Sequence, residues 1–113
     1  MTITTLKKRA EFVRIAKTGK KWVTRSLVVQ ALESDCQENS IRFGFTATKK
    51  IGNAVTRNRV KRRLRVLARD ILPQIKKTSG IDIVLIGRYT TATQEFSDLQ
   101  NDLITALKKL GIK

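Results

Sequence analysis

No histidine occurs anywhere in the 113 residues, and there is a single cysteine, Cys36. Zinc sets built on His and Cys, and Ser-His or Cys-His nucleophile pairs, therefore cannot be assembled. A lone cysteine makes no intrachain disulfide, and its polar surroundings, ESDCQENS, suit a reducing cytosol. Long apolar runs are missing as well. No segment approaches the ~18 apolar residues of a transmembrane helix, and the N-terminal MTITTLKKRAEF has no apolar stretch before a small-residue cleavage site, so no secretion signal is expected. Acidic residues are scarce, nine against 24 Lys and Arg. They are also scattered: Glu33, Asp35 and Glu38 share a polar stretch, and Glu95, Asp98 and Asp102 lie far downstream. Carboxylate-held metal remains formally open, but without a general acid or base that titrates near neutrality an active site of protein side chains is disfavoured.

What the chain does have is positive charge, concentrated in one place. The formal net charge is +15, enough to destabilise a compact state by self-repulsion unless a polyanion relieves it. Lys49 to Arg69 reads KKIGNAVTRNRVKRRLRVLAR, with nine Lys or Arg and no Asp or Glu. Within it Val60, Leu64, Leu67 and Ile71 sit at i, i+4, i+7 and i+11, a narrow arc on a wheel of ~100° per residue. Asn58, Arg62, Arg65 and Arg69 face the opposite way. Arg59 and Arg63 fall on one flank of the apolar stripe, Arg57 and Lys61 on the other. A merely solvated face would mix signs, because cations at i, i+4 repel by a few tenths of a kcal/mol per pair. Repeated acceptance of that repulsion is the electrostatic footprint of nucleic-acid binding. A membrane surface is the other candidate polyanion, but this helix lacks the Trp/Phe/Leu face of an interfacial anchor.

Around that helix the pattern predicts a single domain over residues 1–113. Leu6 to Lys17 reads as a helix with Leu6, Phe12, Val13 and Ala16 on one arc, stopped by Gly19. Trp22 to Leu32 reads as a strand, Glu33 to Ser40 as a polar turn, and Ile41 to Ala47 as the hairpin partner. Ile41, Phe43 and Phe45 should point one way with Leu27, Val29 and Ala31. Arg42, Gly44 and Thr46 should point the other way with Val28, Gln30 and Leu32. The basic helix should end near Leu72 to Pro73. After the turn KKTSG, the run IDIVLI at Ile81 to Ile86 reads as an interior strand. Thr91 or Thr93 can cap a last helix, Thr91 with Gln94 having capping-box spacing, and its stripe of Phe96, Leu99, Leu103, Leu107 and Leu110 reads as core rather than as a dimer zipper. The fold class is α+β, an α-β-β-α-β-α sandwich with helices on one side of the sheet, a partly open surface on the other, and a split βαβ crossover through the basic helix.

The run from Phe45 to Arg65 resembles the signature of the bacterial ribonuclease P protein component: Lys49, Lys50, Gly52, Asn53, Ala54 and Val55 lead into Arg57, Asn58, Arg59, Lys61, Arg62 and Arg65. Looser similarity extends to Leu6, Phe12, Gly19, Arg25, Asp82, Ile83, Val84 and Arg88, so the resemblance spans nearly the whole chain. It implies a protein cofactor of a ribozyme that removes the 5′ leader of precursor tRNA. The RNA would perform the hydrolysis with Mg²⁺ that it mainly holds itself, and the crossover would be left-handed, against the general rule. The partners implied are ribonuclease P RNA and precursor tRNA in the cytoplasm, with no membrane and no obligate protein partner.

By the same resemblance, the catalytic RNA is bound by Lys49, Lys50, Asn53, Asn58, Arg59, Arg62 and Arg65, and the leader by Phe12, Ala16, Val28, Gln30, Thr46, Arg57 and Lys61. Strand parity independently puts Val28, Gln30 and Thr46 on one face. Family members often carry an aromatic where this chain has Ala16 and another where it has Gln30, which weakens stacking on leader bases by ~1 to 3 kcal/mol per base. Phe12 on an amphipathic helix also reads as core, and only the family position favours the cleft. Trp22 and Tyr89 can stack on RNA or cover the sheet edge. Gly52 reads as a turn requirement, not a phosphate cradle. A ribosomal or RNA-chaperone protein neutralising structured RNA is the competing reading. A DNA binder with the helix in a major groove would want a second helix immediately upstream, where a strand is expected instead.

Overall fold

A strand that is apolar on both faces needs a neighbour on each edge and cover on each side, and the IDIVLIG run takes that place. In the computed structural model, which describes residues 2–33, 40–71, 75 and 80–112, the elements are β1 (Thr2–Thr5), α1 (Arg9–Thr18), β2 (Lys20–Val23), β3 (Leu27–Glu33), β4 (Ser40–Thr46), α2 (Ala54–Ile71), β5 (Ile81–Gly87) and α3 (Phe96–Lys109). Short 3-10 turns occupy Lys49–Ile51 and Tyr89–Ala92. The sheet runs β1-β4-β5-β3-β2. The β5 strand pairs parallel with β4 and antiparallel with β3, β1 lies parallel to β4, and β2 antiparallel to β3.

The α+β class and the crossover through the basic helix stand, and the sheet order corrects three expectations. Ile41 to Ala47 is not the hairpin partner of the preceding strand, because β5 lies between them. For the same reason the crossover is unsplit: β4 and β5, which α2 connects, are direct neighbours. Both errors come from reading chain adjacency as pairing, when the twofold apolar character of β5 claims the centre. The strand expected over Trp22 to Leu32 is two strands. Thr24 breaks it by closing a tight turn on Leu27, its hydroxyl donating to the Leu27 carbonyl at 2.6 Å and accepting the Leu27 N–H at 3.1 Å, a local bond of the kind that competes with the ladder.

Two termini also move. Leu6 precedes α1 instead of starting it, donating its N–H to the Phe43 carbonyl at 2.7 Å as the backbone leaves β1. The final helix begins at Phe96 behind Glu95, so neither Thr91 nor Thr93 caps it; the Thr91 hydroxyl instead donates to the Ser26 carbonyl. The turn around Cys36, the stop at Pro73 and most of KKTSG lie outside the described residues.

Strand parity holds. Leu27, Val29, Ala31, Ile41 and Phe43 are buried on one face with Ile83 and Leu85, under Val60, Leu64, Leu67 and Ile71 of α2 and Leu99, Leu103 and Leu107 of α3. Burial of that face supplies the main driving force for the fold. Gly87 lets α2 approach closely, since a Cβ there would meet Val60 Cγ1 at 2.3 Å. The expectation of helices on one side and a partly open surface on the other is corrected here, because α1 lies over the second face of the sheet. Ile15, Val84 and Leu6 are buried there. Beside them Arg42 binds buried Asp82 in a fork, Nε to Oδ1 at 2.7 Å and Nη2 to Oδ2 at 2.6 Å, and reaches Glu11 of α1 at 2.5 Å. That pairing compensates the cost of burying a carboxylate and ties α1 to the sheet.

Candidate nucleic-acid interface

The basic helix is introduced by two backbone devices. Gly52 has φ 152°, outside the range that a side chain tolerates, as expected for a turn. Asn53 then caps α2, its Oδ1 accepting the Thr56 N–H at 2.9 Å. Asn53 therefore has a structural duty besides any contact with RNA. Along α2 the wheel is reproduced: Val60, Leu64 and Leu67 are wholly buried, with Ala68 and Ile71, while Asn58, Arg62, Arg65 and Arg69 are exposed. Lys49 and Lys50 are exposed on the turn that precedes it. Among the described residues no cation of α2 pairs with a carboxylate, so this face keeps its charge for a partner.

The flanks differ. Arg63 donates from Nη1 to the Thr91 carbonyl at 2.6 Å and from Nη2 to the Gln94 carbonyl at 2.7 Å, with its guanidinium 5.8 Å from the Phe96 ring centroid. Burial, and then the neighbouring Arg59 charge, lower its pKa from the usual value. Arg59 donates from Nε to the Ala92 carbonyl at 3.0 Å while its side chain stays exposed. Assignment of Arg59 to RNA alone is thus incomplete, because this flank braces the segment after β5. The wheel carried the signal by placing Arg59 and Arg63 together.

On the opposite flank Arg57 and Lys61 are half-buried. Lys61 lines a concavity of about 280 Å³ with Lys7, Arg9, Phe12, Phe45, Thr46 and Ala47. Next to it a groove of about 300 Å³ is lined by Arg9, Phe12, Val13, Ala16, Gln30, Thr46, Val84 and Ile86. Phe12, Ala16, Gln30 and Thr46 thus come together between α1 and the sheet, with Lys61 in the adjoining space. Val28 lies on the same sheet face, paired with Ile86, but lines neither space. Arg57 lines neither, and its buried Nε has no acceptor among the described residues; a buried donor in that state gains most from an anion.

Phe12 belongs to both of its expected environments. Its ring lies on the β4 backbone, where a Cβ on Gly44 would meet Phe12 Cε1 at 2.5 Å, and its other side lines the groove. Lys7 and Arg9 were not singled out from the sequence as groove residues. The available signal was helical spacing, since Arg9 precedes Phe12 by three and Ala16 by seven. A larger concavity of about 360 Å³, lined by Thr18, Gly19, Ala31, Glu33, Leu110 and Ile112 among others, shares no residue with either space.

Fold and site together define a small α+β protein that presents a strongly cationic helix, free of acidic residues up to Arg69, and a half-apolar groove beside it, to a polyanion. The family described as Ribonuclease P matches residues 2–111. Among relatives, the ribonuclease P protein component of Paramagnetospirillum magneticum is 44% identical over 109 residues, covering 94% of this chain and 81% of that one. That of Gluconacetobacter diazotrophicus is 46% identical over 108 residues, with 96% and 91% covered. Among solved structures, the Staphylococcus aureus RNase P protein superposes with a TM-score of 0.79 at 31% identity, covering 96% of this chain and 95% of that one. The Thermotoga maritima protein gives 0.77 at 28%, with 93% and 96% covered. The chain belongs to the ribonuclease P protein component family.

Proposed function

We propose that the outer surface of α2 and its leading loop, through Lys49, Lys50, Asn53, Asn58, Arg59, Arg62 and Arg65, bind the catalytic RNA of ribonuclease P. The groove between α1 and the sheet, with Phe12, Ala16, Val28, Gln30, Thr46, Arg57 and Lys61, binds the 5′ leader of precursor tRNA. As a member of this family the chain is a subunit of ribonuclease P, acting in tRNA processing, and the ribosomal or RNA-chaperone reading is not favoured. The observation that carries the two-site reading is the division of α2: a cationic face outward with no carboxylate partner among the described residues, and a second cationic flank beside a groove holding Phe12. Phosphate neutralisation releases counterions and supplies affinity, while Arg forks fix geometry.

Hydrolysis is assigned to the RNA. Mg²⁺ is likewise assigned to the RNA subunit; among the described residues no three of His, Cys, Asp and Glu gather as a metal cage. The protein then raises the local occupancy of leader-bearing substrate. No helix among the described residues is long and apolar enough to cross a membrane, and the two proposed RNA partners support a cytoplasmic site of action. The test is reconstitution with the ribozyme RNA and precursor tRNA at low Mg²⁺. Cleavage at the mature 5′ end should be enhanced by the protein, and no enhancement would end this reading.

A further inference from the structure

The pairing register orders the second face of the sheet into rows. Thr46 pairs with Ile86, Ile86 with Val28, and Val28 with Val23. Gly44, Val84, Gln30 and Lys21 form the next row. The second row is covered in part by α1, through Phe12 on Gly44 and Ile15 beside Val84. The first row is the more open one, and it ends on the edge strand β2, where Val23 is 52% exposed and Lys21 is exposed beside Gln30. Among the described residues Lys21 has no hydrogen-bond or ion-pair partner.

We propose that the leader groove does not end at β3 but crosses the whole second face to β2, where Val23 continues its apolar floor and Lys21 supplies its last cation. The occupant is single-stranded RNA, the same leader, and the inference rests on the proposed function. Two observations carry it beyond that function. The groove that holds Thr46 and Ile86 of this row shares Arg9, Phe12 and Thr46 with the concavity that holds Lys61, so a strand bound at Lys61 passes the end of β4 and runs onto the row. Charge also stands at both ends, Lys7, Arg9 and Lys61 at one and Lys21 at the other, with an uncharged row between them. That is the arrangement for a backbone anchored at intervals while bases lie on an apolar floor. Three strand spacings of about 4.8 Å separate Thr46 from Val23, roughly 14 Å, or about four nucleotides at a stacked rise of about 3.4 Å. Since Lys61 stands on the helix assigned to the catalytic RNA, the β2 end holds the leader nucleotides farther from the cleavage site.

The bland reading of lysines on β2 is that they blunt an exposed edge against pairing with another strand. It gives Lys20 and Lys21 the same role. Their side chains alternate, however: Lys20 pairs with Ala31 and lies on the α2/α3 face, while Lys21 lies on the groove face. The experiment compares holoenzymes carrying the native protein, Lys21→Gln, Lys20→Gln or Val23→Glu, on precursor tRNAs whose leaders grow one nucleotide at a time. Native affinity should rise with leader length. Lys21→Gln should match it on short leaders and level off earlier, losing about three- to tenfold on long ones, with a salt slope reduced by about one. Val23→Glu should show the same length dependence more strongly, and Lys20→Gln should follow the native curve throughout. Equal losses for Lys20→Gln and Lys21→Gln, or a Lys21→Gln curve that tracks the native one at every length, would overturn the extension alone. A native holoenzyme that does not distinguish leader-bearing from mature tRNA would overturn the groove itself, and the extension with it.

Discussion

At the scale of single residues, cations that look equivalent in the sequence have different duties. Arg63 satisfies two backbone carbonyls, at Thr91 and Gln94, whereas Arg65, two residues on, is exposed. Arg63→Gln should lower stability by about 1 to 3 kcal/mol, as expected for losing charged hydrogen bonds from a half-buried site, while leaving the salt dependence of RNA binding unchanged. Thermal unfolding beside a salt titration of affinity separates the two effects, and a changed slope with unchanged stability would reverse the assignment. Phe12 packs on the sheet and lines the groove proposed for the leader, so Phe12→Ala should reduce affinity for leader-bearing tRNA by about 1 to 3 kcal/mol more than for mature tRNA, alongside some loss of stability. Equal losses on the two substrates would make it a core residue alone. The candidate site was legible here wherever periodicity decided. The wheel placed Asn58, Arg62 and Arg65 outward, and parity put Gln30, Thr46 and Val28 on one face. It was illegible wherever a contact came from far along the chain, as with Arg63 and the carbonyls around residue 91, because periodicity gives an angle and not the neighbour at that angle.

At the scale of elements, the helices were readable because their signal is local. The strands were readable as strands, and their order was not. Pairing β4 with β5 across the α2 crossover depends on which strand can be buried on both faces and both edges, a property of the assembled sheet. The four threonine-rich residues of β1 carry no alternation at all, and β2 parts from β3 through a threonine hydroxyl whose bond no pattern announces. One consequence is testable at Gly87. An added methyl there would meet Val60 Cγ1 at 2.3 Å, and Val60 is wholly buried and β-branched, with little freedom to yield. Gly87→Ala should therefore cost about 1 to 3 kcal/mol by overpacking, and it should weaken RNA binding only through the population of folded protein. Denaturant unfolding checks this, and an unchanged midpoint would mean that α2 does not sit where this contact puts it.

At the scale of the molecule, a net charge of +15 describes only adhesion to polyanions. Its distribution is what the proposed division between two RNAs rests on. Among the described residues the outward face of α2 is left without acidic partners, as the proposed contact with a large structured RNA requires, and the opposite flank leans over a groove that α1 closes on the other side of the sheet. The C-terminal end of β4, at Thr46, lies beside the groove and below α2, so on the proposed reading one small domain would hold ribozyme and substrate side by side. That division is the central claim, and a paired substitution tests it most directly. Affinity for the ribozyme RNA, and the ratio of affinities for leader-bearing and mature tRNA, should be measured on the Arg62→Glu/Arg65→Glu protein and on the Lys61→Gln protein. The first should lose affinity for the ribozyme RNA, with a salt slope flattened by about one log-log unit per lost contact, and keep its leader preference once assembled. The second should assemble normally and lose leader preference. Two variants that change both quantities in parallel would show a single undivided cationic surface and contradict the account.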